Sequence, residues 1–275
     1  NDKILFKDKY GLSYYLYKNT RPKDTYKIGV RTDDTTVLYT IEKILKSSIS
    51  DNNKVINCFD VGSYIGVITL MMSKSLQKNK KKWRIHSFEP SKESYLRLKK
   101  NIELDPFATN IKLNNVGVLD KDGIQILKTN LKNPGQNNLI SNVIQNNEDV
   151  INEEIRVINL RDYMNQNEIN SISICKVDTE GTDNLVIKGL YQHLKNNTVD
   201  YFILEYEELS FENLKNLLTT NGYSIYYMVR NENILVSSLS NYPKHSKSLL
   251  NLIAVSPYRM KDFKLLFKLD QINII

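Results

Sequence analysis

The feature that most constrains the fold is an alternation of apolar runs with helical patterns. Apolar, β-rich runs occur at 54–62 (KVINCFDVG), 83–90 (WRIHSFEP), 171–181 (SISICKVDTEG) and 199–208 (VDYFILEYEE), and helical patterns follow at 65–77, 91–104, 183–194 and 211–222. Strands that are apolar throughout are buried on both faces, and helices between such strands cover a parallel sheet from each side. The expected class is therefore α/β, a mostly parallel sheet between two helical layers. Ser91 can cap its helix, where Tyr95, Leu98 and Ile102 share a face. Runs 111–120 and 123–130 flank Lys121-Asp122-Gly123 and are predicted to pair as a hairpin. Runs 223–230 and 249–257 supply the last strands, and the helical stretch 35–47 falls in a flanking segment, 1–50, that precedes a main domain at 51–275.

Ligands of such sheets bind beyond the carboxyl ends of the strands. Those ends are acidic: Asp60, Glu89, Asp178 with Glu180, and Glu205 with Glu207. Any one acid could stand there by chance, but the set points to a site. At the first strand end the pattern is D-x-G-x-x-x-G, Asp60 to Gly66. A dinucleotide site wants G-x-G-x-x-G, and a P-loop wants Gly-Lys-Ser/Thr. The leading carboxylate would repel a pyrophosphate and suits a cation instead. S-adenosylmethionine (SAM) has an ammonium, a sulfonium and no phosphate. Glu89 ends the next strand about 20 residues on, where an acid can hold ribose hydroxyls.

The segments FDVGSYIG, HSFEPSKESYLRLKKNI, NNVGVLDKDG, INLRDYM, ICKVDTEGTDNLVIKGL and YFILEYEE follow in order over roughly 54–208. In these the chain resembles the FkbM-type family of SAM-dependent methyltransferases. The resemblance implies the class I methyltransferase fold: a Rossmann-like αβα sandwich whose seven-stranded sheet is mostly parallel, with a C-terminal antiparallel strand. It implies O-methylation, often of sugars or natural products. Carried over by position, Asp60, Gly62, Ser63 and Gly66 surround the methionine end of SAM, and Glu89 with Pro90 the ribose. Asn115, Gly117 and Val118 lie near the adenine, and Asp178 and Glu180 face the transferred methyl. Ser63-Tyr64 departs from the Ala-Asn that usually follows the first glycine.

Methyl transfer needs an aligned oxygen nucleophile and a proton acceptor. Asp178 is the expected base, with Glu180 and Glu205 as partners; Lys176, on the same sheet face, orients or neutralises Asp178. The alternative is Mg²⁺ or Mn²⁺ held by the same oxygens. His86 reads as core, His193 as remote from the strand ends, and His245 as part of a solvated basic loop. The polar stretch 133–154 and the loop 231–248, with Lys244, His245 and Lys247, are the candidate covers of the acceptor.

Composition adds limits. The net charge of +7 reflects a lysine-rich chain more than a nucleic-acid footprint, so an RNA-modifying methyltransferase is the alternative reading and nucleic acid is not the expected partner. A non-catalytic SAM-binding module within a larger polypeptide is a third reading. Cys58 and Cys175 lie in apolar runs and are expected as reduced core residues. No apolar stretch reaches a membrane span, and no leader is visible, so the expected location is cytoplasmic. The first residue is Asn1, which reads as an excised piece of a longer protein. The expected acceptor is a carbohydrate or another small molecule.

Overall fold

The computed structural model describes residues 3–8, 10–17, 35–47, 55–77, 81–130, 150–206, 208–229, 234–237 and 249–269. The N-terminal part contains β1 (Lys3–Lys7), β2 (Ser13–Tyr17) and α1 (Thr35–Lys46). Next come β3 (Ile56–Val61), α2 (Val67–Leu76), β4 (Trp83–Phe88), α3 (Lys92–Ile102) and β5 (Ile111–Asn114). Strands β6 (Gly117–Leu119), β7 (Gly123–Asn130) and β8 (Val150–Asn159) precede α4 (Leu160–Gln166) and β9 (Ile172–Val177). The rest comprises α5 (Asp183–Gly189), α6 (Tyr191–Lys195), β10 (Val199–Glu205), α7 (Glu208–Thr219), β11 (Ser224–Val229), β12 (Ile234–Val236), β13 (Leu249–Val255) and α8 (Met260–Phe267).

The main sheet has the order β12-β11-β13-β10-β9-β3-β4-β5. From β10 through β5 the pairs are parallel. β13 is antiparallel to β10 and β11, and β12 is antiparallel to β11. The sheet therefore carries one strand more than the sequence suggests, with β12 adding a second reversal at the edge. Alternate residues supply two cores. Ile56, Cys58 and Ile174 pack towards α1, α2 and α3, while Phe59, Val61, Cys175 and Val177 pack towards α4, α5 and α7. Both cysteines are free and buried. Leu12, Tyr14 and Leu16 of the first hairpin join the first core, so the N-terminal elements and the sheet share one apolar interior.

The chain moves outward from β3 through β4 to β5, then returns to place β9 on the other side of β3. Between β3 and β9 lies the topological switch point, where the loops leave in opposite directions and open a crevice. The acids of both loops meet there.

The expected hairpin does not form. β6 and β7 do not pair with one another; each pairs with β8, and Val157 is the register partner of both Gly117 and Gly123. Ile155 and Val157 on β8 bury beside Leu119 and Leu127, which a two-strand hairpin would leave uncovered. Residues 150–154, expected in a polar cover, form the first half of β8; 133–149 lie outside the described residues. The helix expected over 183–194 is divided at Leu190 into α5 and α6.

Candidate active site

Asp60 ends β3 and is completely buried. Its even position turns it towards α2, where Oδ2 accepts a hydrogen bond from Thr69 Oγ1 at 2.5 Å. Thr69 Oγ1 is in turn 2.7 Å from Ser87 Oγ, and Lys176 on β9 is the register partner of Asp60 across the sheet. The other oxygen, Oδ1, has no protein partner. Burial pushes the Asp60 carboxyl above its ordinary range, against the pull of Lys176.

The glycines after Asp60 serve packing as well as any ligand. Gly62 has φ +79°, and a Cβ on it would lie 1.8 Å from the Asp178 carbonyl oxygen. Gly66, at φ +91°, would drive a Cβ to 2.5 Å from Leu98 Cδ1. The backbone N–H groups of Gly62 and Ser63 both donate to the Phe88 carbonyl at 3.0 Å. Ser63 Oγ donates to the Asp60 carbonyl at 2.7 Å. The loop is thus closed by its own hydrogen bonds rather than waiting for a ligand to order it.

Glu89, at the end of β4, is 5% exposed. Its Oε2 accepts from Tyr64 N at 2.8 Å and its Oε1 from Ser91 N at 3.0 Å. Each oxygen keeps acceptor capacity for a hydroxyl. Burial, opposed by those two N–H groups, pushes its carboxyl up to about 7. Asn115 Nδ2 donates to the carbonyls of Glu89 and Pro90 at 2.9 and 3.0 Å, tying the loop after β5 to the end of β4. A Cβ on Gly117 would lie 3.7 Å from Pro90 Cβ, while Val118 is buried in the core. The fold therefore brings together every residue expected around the ribose and adenine, with Val118 beneath that group rather than on its surface.

The second acidic group lies over β9 and β10. Lys176 is buried, and its Nζ is 2.8 Å from Asp178 Oδ2; the Asp178 side chain is 35% exposed. Glu180 takes φ +52° and Gly181 φ +104°, a left-handed pair that turns the loop sharply. Glu205 is held largely protonated: burial first, then the charges of Asp178, Glu180 and Asp183, push its carboxyl up to about 9. Asp178, Glu180 and Asp183 thus all bear electrostatically on Glu205.

Asp183 was not expected here. Its sequence position reads as the start of a helix, and only its place in the first turn of α5, where acids suit a helix N-terminus, marks it. It is buried, and its Oδ1 accepts from Thr179 N at 2.8 Å and Thr179 Oγ1 at 2.6 Å. Its Oδ2 accepts a longer bond, 3.4 Å, from Glu205 N. Burial and the Asp178 charge push its carboxyl up to about 6.

Other expectations resolve simply. His86 is buried against Phe59, with Nδ1 2.9 Å from Tyr163 Oη, and burial holds its pKa down at about 4. His193 bonds Thr198, away from the strand ends. Glu207, Lys244, His245 and Lys247 lie outside the described residues. A cavity of about 280 Å³ flanks β5, β8 and α4 and is not lined by Asp60, Glu89, Asp178, Glu180 or Glu205. Asn114, Asn159 and Asn167 in its wall already bond neighbouring protein groups. Among the described residues no three His, Cys, Asp or Glu side chains converge to hold a metal ion, and no helix is long and apolar enough to cross a membrane.

The donor set fits SAM. It offers acceptors for ribose hydroxyls at Glu89, an unpartnered buried oxygen at Asp60, and carboxylates that favour a cation.

No curated protein matches the chain significantly. Among solved structures, the methyltransferase FkbM from Methylobacillus flagellatus KT aligns at 14% identity with a TM-score of 0.49, over 76% of this chain and 45% of that one. The chain thus spans less than half the length of that relative. The N-terminal domain of human METTL16 in complex with SAH aligns at 14% identity and TM-score 0.44, over 80% of this chain and 68% of that one. A SAM-dependent methyltransferase from Agrobacterium tumefaciens aligns at 10% identity and TM-score 0.46, over 93% and 77%. Residues 60–225, more than half of the chain and including both acidic groups, match the profile of the methyltransferase FkbM domain, and the chain belongs to that family.

Proposed function

We propose that this chain is a SAM-dependent O-methyltransferase whose acceptor is a hydroxyl of a sugar or glycan. The observation that carries the reading is the switch-point crevice itself, where a buried acid pair on β3 and β4 faces a partly open acid group on β9 and β10. The acceptor class rests on the family resemblance. SAM supplies an electrophilic methyl on a cationic sulfur that leaves as a neutral thioether.

Glu89 would hold the ribose hydroxyls, and the neighbouring loop of Asn115 and Pro90 would border the adenine. Asp60, fully buried with one free oxygen, would act on the methionine end from beneath the loop. Asp178 is partly exposed, within reach of an acceptor hydroxyl, and Lys176 fixes its carboxylate at 2.8 Å. Glu205, protonated at neutral pH, would donate a hydrogen bond rather than take a proton. Asp178 is therefore assigned as the base, and Glu205 and Glu180 as groups that orient the acceptor.

The test pairs binding with turnover. Purified protein is incubated with methyl-labelled SAM and a glycan extract, and products are read by mass spectrometry. Asp178→Asn should lower label transfer by about 10²-fold or more, the usual scale of a positioned base, while calorimetric SAM affinity stays within a few-fold. Full transfer by Asp178→Asn would remove the base assignment. Label on nitrogen, or on RNA instead of glycan, would overturn the O-methyl and sugar assignments.

A further inference from the structure

Asp178 and Glu180 stand on the loop after β9, and Glu205 on the end of β10. A neighbouring pair of parallel strands does not fix the spacing of loops beyond its last hydrogen bond. The register of β9 with β10 ends at Val177 and Leu204, one residue short of Asp178 and of Glu205. Asp178 N bonds the Val61 carbonyl and Glu205 is in register with Asn251, so each is held from its far side, and a direct tie between the two strand ends has to come from beyond the β9–β10 register.

The buried carboxylate of Asp183 spans that gap. One oxygen takes both donors of Thr179, at 2.8 and 2.6 Å, and the other reaches Glu205 N at 3.4 Å. The first pair of bonds closes the loop 179–183 on itself, around the left-handed Glu180 and Gly181. The third crosses from that loop to the next strand. No apolar side chain could replace this link, because every group facing the carboxylate in these contacts is a donor. The two Thr179 bonds have the short lengths expected of donors to an ionised acceptor, and the one to Glu205 N is longer.

We propose that Asp183 is a positioning residue, whose carboxylate clamps the end of β9 to the end of β10 and so sets the spacing of Asp178 and Glu180 from Glu205 around the reacting hydroxyl. This rests on the assignment of those strand ends as the methyl-transfer site. Asp183→Asn keeps size and the acceptor towards Thr179, but turns an NH₂ donor against the N–H of Glu205. Thr179→Val removes the hydroxyl donor, and Thr179→Ser keeps it.

The test uses the whole chain with SAM carrying a ¹³C methyl, read by NMR, together with amide hydrogen exchange. In Asp183→Asn the amides of Thr179 and Glu205 should exchange at least tenfold faster, while Ile174 and Ile203, mid-strand, stay within twofold. SAM should still bind within a few-fold, with a shifted or broadened methyl resonance. Thr179→Val should speed exchange at Thr179 in the same way, and Thr179→Ser should restore the native pattern; this pair carries the test should Asp183→Asn fail to fold. Faster exchange spread evenly over β9 and β10 would mean a general stabilising role and would overturn the clamp. So would an unchanged methyl resonance with unchanged Glu205 exchange. Failure of the native chain to bind SAM at all would instead defeat the cofactor assignment.

Discussion

The two halves of the acidic rim handle charge in opposite ways. On β3 and β4 the acids are given donors: Thr69 for Asp60, and the N–H groups of Tyr64 and Ser91 for Glu89. On β9 and β10, burial first, and then the charges of Asp178, Glu180 and Asp183, push the Glu205 carboxyl up, while Lys176 pairs with Asp178. The first half is a prebuilt mould, whose dipoles already point at fixed oxygens. The second is left with carboxyls that can gain or lose protons as a partner arrives. Both halves hold raised carboxyls, Glu89 at about 7 and Glu205 at about 9, but in the first half the Glu89 oxygens already have fixed N–H donors.

The largest effect is expected where the halves touch. Gly62→Ala would place a methyl against the Asp178 carbonyl and an L side chain at φ +79°. Left-handed backbone costs about 1–2 kcal/mol and overpacking about 1–3. In a domain of this size such a sum corresponds to a melting temperature lower by roughly 10 °C. Circular dichroism melts check this, and a native Tm would show that the contact is slack. If the protein still folds, both halves should lose function together.

A smaller effect is expected in the mould alone. Glu89→Ala removes acceptors for two hydroxyls, each charge-assisted bond contributing about 1.5–3 kcal/mol. SAM affinity by calorimetry should fall at least tenfold, and the Asp178 half should be left as it was. Unchanged affinity would separate Glu89 from the ribose.

A third test, read as a severalfold change in affinity, compares the halves by pH. Glu205 titrates near 4.5 when unfolded and at about 9 when folded. A carboxyl raised on folding stabilises fully below the unfolded value, and that contribution is lost as pH rises through the folded one. Glu89 and Asp183, raised to about 7 and about 6, act in the same direction, so the melting temperature of the ligand-free protein should fall from about pH 5 towards pH 9. A sulfonium favours ionised carboxylates, so SAM should bind severalfold tighter at pH 8.5 than at pH 6. Its demethylated product, with a neutral sulfur, should gain less over the same range. Equal pH slopes for the two ligands would show that the sulfonium lies away from β9 and β10. Glu205→Gln should flatten the SAM slope.

Much of this was legible in the sequence, for identifiable reasons. Strands buried on both faces leave unbroken apolar runs, and the acids that end them are marked by the runs themselves. Asp60, Glu89, Asp178 and Glu205 needed no more than that. The hairpin was misread because Lys121-Asp122-Gly123 is a good local turn, whereas β8 enters between the two strands from far along the chain and leaves no local mark. Asp183 escaped for the same reason, since its partner Glu205 is a neighbour only once β10 lies beside β9. The glycines were read as room for a ligand; at Gly62 the room is taken by the backbone of Asp178.

That contact also makes the crevice cooperative. Gly62 cannot yield without displacing the Asp178 carbonyl, and Asp178 N is itself bonded to the Val61 carbonyl at 3.0 Å. Backbone pressed on backbone has no rotamers through which to dissipate a shift. On the proposed assignment, a cofactor seated on the glycine loop would be felt at Asp178 without touching it, and an acceptor seated on Asp178 would be felt at the loop. Linkage requires the two influences to be equal in free energy, so whatever factor SAM adds to acceptor affinity, the acceptor returns to SAM.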